Sequence, residues 1–400
     1  MSEEMGSDLP SLPVIGVDLG GTQMRVAVLQ GAKLLSRVGL LTGRDSIPES
    51  IIPRIYYAMQ QALEEANSSF DQIAGIGIGV PGLVNNPTGI VFVMPNLQGW
   101  NNIPLRDILE NDFHIKTPII IDNDANAAAL GEYLFGAGRG CSFMVYLTIS
   151  TGIGGAVIMN GQIMRGSRGT AMEIGHMTIH EFGEPCNCGN IGCLESIASG
   201  IAIARHAQRT ISSGQGVELL SFARSLGTCN TLESNGSASL IQDPAVNVQE
   251  EGNEADELQH IDAHIVAQAA EAGVPEARAI IERAAEALGI GLVNVIHIFN
   301  PERIILGGGV SNIGPLLMDP ALRIVQERAI KVPRESVRIV EAQLDDDVGL
   351  IGAGALVLYE VGIENMVPAK TQEKYKIPFD FTKRGDVTLF TRERDGIPMS

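Results

Sequence analysis

The chain is short of positive charge. Its 400 residues carry 28 Lys and Arg against 47 Asp and Glu, a formal net charge of −19. Nucleic-acid binding needs concentrated Lys and Arg against phosphates, so this balance argues against a nucleic-acid partner. It does not exclude a nucleotide, which needs only local backbone amides and a metal. Long apolar runs are also missing. No stretch of about eighteen residues escapes interruption by glycine or polar groups, which argues against a membrane span. The N-terminus, MSEEMGSDLPSLP, has no basic segment leading into an apolar core, so no secretory signal is read there. Cysteine is scarce, with 5 in the chain. Three of them cluster, while Cys141 and Cys229 stand alone, which is not a disulfide framework. A reducing cytoplasm fits this usage. No GxGxxG follows a strand and opens a helix, so the dinucleotide fingerprint is absent.

What is present is apolar and rich in glycine: 45% hydrophobic residues and 46 glycines. The length allows two domains, each with a buried core. Residues 1–13 read as a flexible lead-in. Val14 to Thr22 is a strand running into a glycine turn, and Met24 to Leu29 is a second strand. Ser50 to Ala66 has helical spacing. Ile73 to Gly82 is a strand ending in a turn. Thr117 to Gly136 is a strand followed by a helix that opens near Asn123 to Asn126. The pattern then restarts. Met144 to Ile158 repeats strand, glycine turn, strand. Ala277 to Phe299 is helical, and Glu302 to Asn312 repeats strand and glycine turn. Two such halves predict a duplicated α/β domain around a cleft. The expected parts are a small domain over 14–122 plus about 346–362, and a large domain over 123–345. A polar segment at 212–262 reads as an insertion, and 363–400 as an extension without assigned role.

The densest chemistry lies between Glu173 and Glu195. Cys186, Cys188 and Cys193 are spaced Cys-x-Cys-x4-Cys, the ligand type and tight spacing of a structural zinc site. A histidine completes four ligands, with His176 and His180 as the two choices. Only three cysteines group, which favours zinc over an iron–sulfur cluster. Glu173 and Glu195 are poor zinc ligands beside thiolates. They read as carboxylates that a metal-tied loop aims at something polar.

Glycine turns supply the second signal. Asp18-Leu-Gly20-Gly21-Thr22 puts a carboxylate at a strand end, before a turn whose amides can face a phosphate. Asp18 in such a place can orient Mg²⁺ through water. Ser150-Thr151-Gly152-Ile-Gly154 is the same device in the second half, and Gly307-Gly308-Gly309 is a third flat surface. Each is also compatible with a plain hairpin; opposed in one cleft, they clamp phosphates. Asp122-Asn123-Asp124-Ala-Asn126 places three polar side chains where a strand becomes a helix, more than capping requires.

As a set, DxGGT, GxPG, DNDAN, TGxGG, ExGH, CxCGxxGCxE and GGG, in this order over about Val14 to Tyr359, resemble the ROK family of sugar kinases and sugar-responsive repressors. The resemblance implies an actin-like, ribonuclease H-like fold and an ATP-dependent hexose kinase, of which a glucokinase is the leading case. It makes Asp124 the catalytic base. Gly82, Asn123, Asp124, Glu173, His176 and Glu195 become sugar contacts. His176, Cys186, Cys188 and Cys193 become the zinc ligands. Asp18, Gly20, Gly21, Thr22, Thr151, Gly152, Gly154, Gly307, Gly308 and Gly309 serve ATP and Mg²⁺. A homodimer or homotetramer is implied as well. Two positions depart from the family pattern: Gln23 stands where Lys is frequent, and Ser150 where Gly is frequent. The family's repressors carry an N-terminal helix-turn-helix, which the thirteen residues before Val14 are too few to form. Fructose, mannose, allose and N-acetylated amino sugars remain alternative substrates, polyphosphate an alternative donor, and a non-catalytic sugar sensor an alternative role.

Overall fold

A computed structural model of the chain describes residues 12–366 except 44, 45, 96, 227–257 and 259. Most of the polar 212–262 segment and nearly all of the 363–400 extension lie outside the described residues.

Eight strands come before Phe135: β1 Val14–Leu19, β2 Gln23–Gln30, β3 Lys33–Leu41, β4 Ile76–Val80, β5 Leu83–Asn85, β6 Ile90–Val93, β7 Asn101–Pro104 and β8 Ile119–Asn123. Five follow: β9 Phe143–Ile149, β10 Ile153–Met159, β11 Gln162–Ile163, β12 Arg303–Gly307 and β13 Arg338–Glu341. They form a first five-stranded sheet, ordered β3-β2-β1-β4-β8, and a second, ordered β11-β10-β9-β12-β13. The pairing directions also match. In each sheet the first two neighbour pairs are antiparallel and the last two parallel. The duplication expected from the sequence is thus present at the level of strand order.

The central strands are apolar on both faces because both faces are covered. Ile15, Val17, Ile76, Ile78 and Ile121 pack with Ile51, Ile55 and Met59 of helix Pro48–Glu65 on one side of the first sheet. In the second lobe, Val145, Leu147 and Ile304 pack under helix Pro275–Phe299. That helix begins on a proline at its first turn and ends where Asn300 takes the left-handed conformation (φ 44°), a standard start and stop. Inside the segment expected as an insertion, helix Val217–Ser225 gives Leu219 and Ala223 to the same core, and Ile261 joins them.

A third core joins the lobes. Helices Asp124–Phe135 and Val348–Met366 pack on each other, with Val14, Ala27 and Leu29 of the first sheet and Met144, Tyr146 and Ile305 of the second around them. The two sheets therefore meet through a pair of helices. Gly82 and Asn123, at strand ends of the first sheet, and Gly154, in β10 of the second, line a common hollow. A small sheet ordered β5-β6-β7, not anticipated from the sequence, forms a lip on the first lobe. Among the described residues, no helix is long and apolar enough to cross a membrane.

Candidate active site

The strand-to-helix step at β8 divides its polar residues by task. Asn123 caps the helix: its side-chain oxygen accepts from the Ala125 amide at 2.9 Å and the Asn126 amide at 3.3 Å. Its Nδ2 donates to the carbonyl of Gly82 at 3.1 Å, which ties β8 to the turn after β4. Asp122 is buried and turns the other way, accepting from Asn126 Nδ2 at 2.9 Å and from Arg165 Nε at 2.7 Å. With capping done by Asn123, Asp124 is left for other work. Its Oδ1 accepts from the Ala125 amide at 2.8 Å. Burial, and then the negative charges of Asp18 and Glu173, push its carboxyl up to about 7. A carboxyl poised there exchanges a proton readily near neutral pH.

A hollow opens next to Asn123, lined by Gly82, Leu83, Asn123 and Asn126 on one side and by Gly154, Gly155 and Gly169 to Glu173 on the other; Asp124, the next residue in the chain, is not in its wall. Gly82, Asn123, Glu173 and Gly154 of the expected set line it. His176 and Glu195 stand behind Glu173: His176 Nε2 is 3.9 Å from Glu173 Oε2, and His176 Nδ1 is 4.0 Å from Glu195 Oε1. The other Glu195 oxygen accepts from the Ile153 amide at 2.8 Å, at the second-lobe glycine turn.

The donor set of the metal cluster can be tested by geometry. The ligand atoms of His176, Cys186, Cys188 and Cys193 lie within 4.8 Å of one another. Tetrahedral zinc with Zn–S of about 2.3 Å and Zn–N of about 2.0 Å requires S–S edges of about 3.8 Å and S–N edges of about 3.5 Å. Cys188 Sγ and Cys193 Sγ are 3.8 Å apart, and Cys186 Sγ and His176 Nδ1 are 3.5 Å apart. The residues fit zinc. His180, the other histidine weighed from the sequence, is exposed and outside this set. His176 can serve both assigned roles, because Nδ1 meets the thiols while Nε2 faces Glu173.

The glycine turns sit at corresponding strand ends. In the first lobe, Gly20 N donates to Gln23 O at 2.9 Å, and Thr42 Oγ1 donates to Gly20 O at 2.8 Å. Asp18, at the end of β1, receives Arg25 Nε at 3.1 Å; both Arg25 contacts fall on Oδ2. In the second lobe, three segments knit together. Val310 N donates to Ile149 O at 2.9 Å, Ser150 N to Gly152 O at 2.8 Å, and Gly200 N to Ser150 O at 2.8 Å. Gly200 opens helix Gly200–Ser212, whose cap is Ser199, so a helix N-terminus adjoins the Thr151 to Gly152 turn. The first amides of that helix are spent within the protein, Gly200 N on Ser150 O, Ile201 N on Thr151 O and Ala202 N on Ser199 Oγ, so the helix end braces the turn, a contact that sequence reading passed over. Gly309 faces open space.

Arg165 also escaped sequence reading. It joins buried Asp122 to Glu360 (3.1 Å) and lies over the Tyr359 ring, 5.6 Å from its centre. It thereby holds the loop that runs on to Glu173 against β8. A lone arginine in a loop carries no pattern that would reveal this.

A two-lobed α/β architecture with matched sheets, hinged on two helices and carrying its polar groups in the cleft, is the actin-like, ribonuclease H-like class. Within that class the chain belongs to the ROK family, whose model matches residues 14–360. It is 34% identical over 345 residues to a glucokinase of Halalkalibacterium halodurans, covering 86% of this chain and 94% of that protein. It is 30% identical over 349 residues to a putative xylose repressor of a Caldicellulosiruptor species, covering 87% of this chain and 78% of the other. Among solved structures it resembles a ROK family glucokinase from Streptomyces griseus in complex with glucose and AMPPNP. There the TM-score is 0.69 at 31% identity, over 86% of this chain and 98% of that one.

Proposed function

We propose that this protein is an ATP-dependent hexose kinase that phosphorylates the 6-hydroxyl of its sugar, with glucose as the substrate. The observation that carries the reading is the hollow made by both lobes. It presents Asn123 and Glu173, with the carboxyl of the residue after Asn123, Asp124, poised at about 7. Similarity to glucokinases over most of the chain supports it.

In this reading Asn123, Glu173, His176 and Glu195 orient the sugar hydroxyls. Asp124 accepts the proton of the 6-hydroxyl as its oxygen bonds to the γ-phosphorus and the bond to the ADP oxygen breaks. The turns at Gly20 to Thr22 and Thr151 to Gly154, with Gly307 to Gly309, offer amides and open surface to ATP. Closure of the lobes excludes water that would otherwise hydrolyse ATP. Mg²⁺, held through water near Asp18, would balance phosphate charge among the carboxylates of Asp18, Asp124 and Glu173. Zinc on His176 and the three cysteines would fix the loop and take no part in the chemistry. A reducing cytoplasm suits such a site.

One finding favours a second reading, a sugar sensor without catalysis: the same domain occurs in a putative repressor at 30% identity. The test is ADP release from MgATP over a panel of hexoses and amino sugars, with Asp124→Asn alongside. Turnover on glucose that the mutant loses supports the kinase. Sugars that bind and are never phosphorylated support the sensor.

A further inference from the structure

Asp122 is buried, and the proposed chemistry gives it no part. Its two oxygens divide their partners between the two walls of the hollow. Oδ1 accepts from the Asn123 amide at 2.8 Å and from Asn126 Nδ2 at 2.9 Å, and both residues line one wall. Oδ2 accepts from Arg165 Nε at 2.7 Å. Arg165 begins the segment that supplies the other wall. Its carbonyl accepts from the Ala171 amide at 3.1 Å, which closes residues 165–171 into a loop, and Gly169 to Glu173 line the hollow. Gly166, Gly169 and Met172 of this segment take positive φ (71°, 82° and 69°), while Ser167 and Arg168 are exposed. Such a loop has little internal stiffness, so its anchors decide where it lies. The same guanidinium bonds Glu360 of helix Val348–Met366, which sets the anchor on the helix pair that joins the lobes.

We propose that Asp122 and Arg165 are positioning residues that fix the separation of the two walls. One buried carboxylate holds Asn123 and Asn126 with one oxygen and, through Arg165, the loop leading to Glu173 with the other. Neither residue lines the hollow, so the pair acts on sugar through the groups it places. This rests on the sugar-kinase reading of the hollow and adds the device that sets its width. A buried ion pair suits the task, because parting it leaves a charge uncompensated, and the planar guanidinium fork fixes direction as well as distance. Hydrogen bonds to hydroxyls weaken over a few tenths of an ångström, so a small shift of one wall is felt as lost sugar affinity.

The test compares wild type, Arg165→Met, Arg165→Lys, Asp122→Asn and the double variant Asp122→Asn/Arg165→Met, reading equilibrium glucose binding and MgATP-dependent turnover. Arg165→Met should raise the Kd and KM for glucose by about tenfold or more, with kcat and the KM for ATP changed by less than about threefold. Arg165→Lys keeps the charge and loses the fork, so it should fall between. The double variant should bind glucose about as well as Arg165→Met alone, because the two residues act as one unit. Leu63→Ala, a core deletion in helix Pro48–Glu65, lowers Tm without touching the pair, and its glucose Kd should stay at the wild-type value. An unchanged glucose Kd in a folded Arg165→Met overturns the proposal, as do single effects that multiply in the double variant or an equal rise in Leu63→Ala. Where Arg165→Met does not fold, an unchanged Kd in Arg165→Lys overturns it in the same way. Failure of wild type to bind any hexose overturns the reading of the hollow, and this inference with it. Binding without turnover leaves Kd measurable and the proposal decided.

Discussion

The two sheets are built alike, and the turns after their corresponding strands use glycine for opposite reasons. After β4, Gly82 has φ 152°, and a Cβ there would fall on the carbonyl oxygen of Val93, so packing against the β6 side demands glycine. After β12, a Cβ on Gly309 would meet nothing within 4 Å. The first glycine is fixed by the protein's own backbone. The second leaves room for something that is not protein. The difference extends to the residues alongside: the first sheet ends in Asn123 and leads into Asp124, whose carboxyl is pushed up to about 7, while the second leads into the open surface at Gly309. On the proposed reading the first lobe supplies the proton acceptor and shares the phosphates with the second, which alone carries the metal-tied loop.

The largest expected effect tests that division. Asp124→Asn should lower kcat by about 10²-fold or more while sugar binding stays near normal; turnover close to wild type would end the general-base role. In wild type, kcat should fall as pH drops through about 7, because the base must be unprotonated, and this limb should be absent from the residual activity of the mutant.

The paired glycines come next. Gly82→Ala should cost about 3 kcal/mol, seen as a Tm lower by roughly 4 °C for a chain of this length. Gly309→Ala should leave Tm within a degree or so and raise the KM for ATP by roughly tenfold. Equal melting of the two variants would erase the distinction between them. Cys188→Ser should lower zinc content and sugar affinity together, by a few-fold in KM, and keep the acidic limb of the pH profile; a zinc-free variant with unchanged KM would show the loop orders itself.

The smallest effect is on stability. The folded pKa of Asp124 is raised from 3.8 to about 7, so its contribution is fully present below 3.8 and is lost as pH rises through 7. Asparagine has no such loss. The mutant should melt a few degrees above wild type at about pH 8, and by a smaller margin at about pH 5.

Much of this was legible in the sequence because its signals are local. A carboxylate at a strand end, a glycine turn and a cysteine cluster each declare themselves within ten residues or so. The duplication followed from seeing the first pattern return at Met144, while the strand order within each sheet came only with the structure. What stayed hidden depends on distant partners or on backbone conformation. Arg165 and Asp122 are 43 positions apart, and nothing near either residue names the other. The β5-β6-β7 lip has strands of 3 or 4 residues, too short for a period to register. The conformation of Met172 is invisible in a string of letters. Spacing alone left His176 and His180 both open; the family resemblance pointed to His176, and the fold puts its imidazole among the thiols.

The helix pair joining the lobes has a consequence for how this protein tolerates change. A Cβ on Gly77 would fall on the carbonyl of Ala353, and one on Gly352 on the carbonyl of Ala127. Backbone lies directly on backbone along this seam, with no side chain able to yield. In a library of random variants, these positions should form an intolerant line through the centre of the molecule. Such a map would look like that of a catalytic site, and reading it correctly requires knowing that the purged variants fail to assemble before they can fail to react.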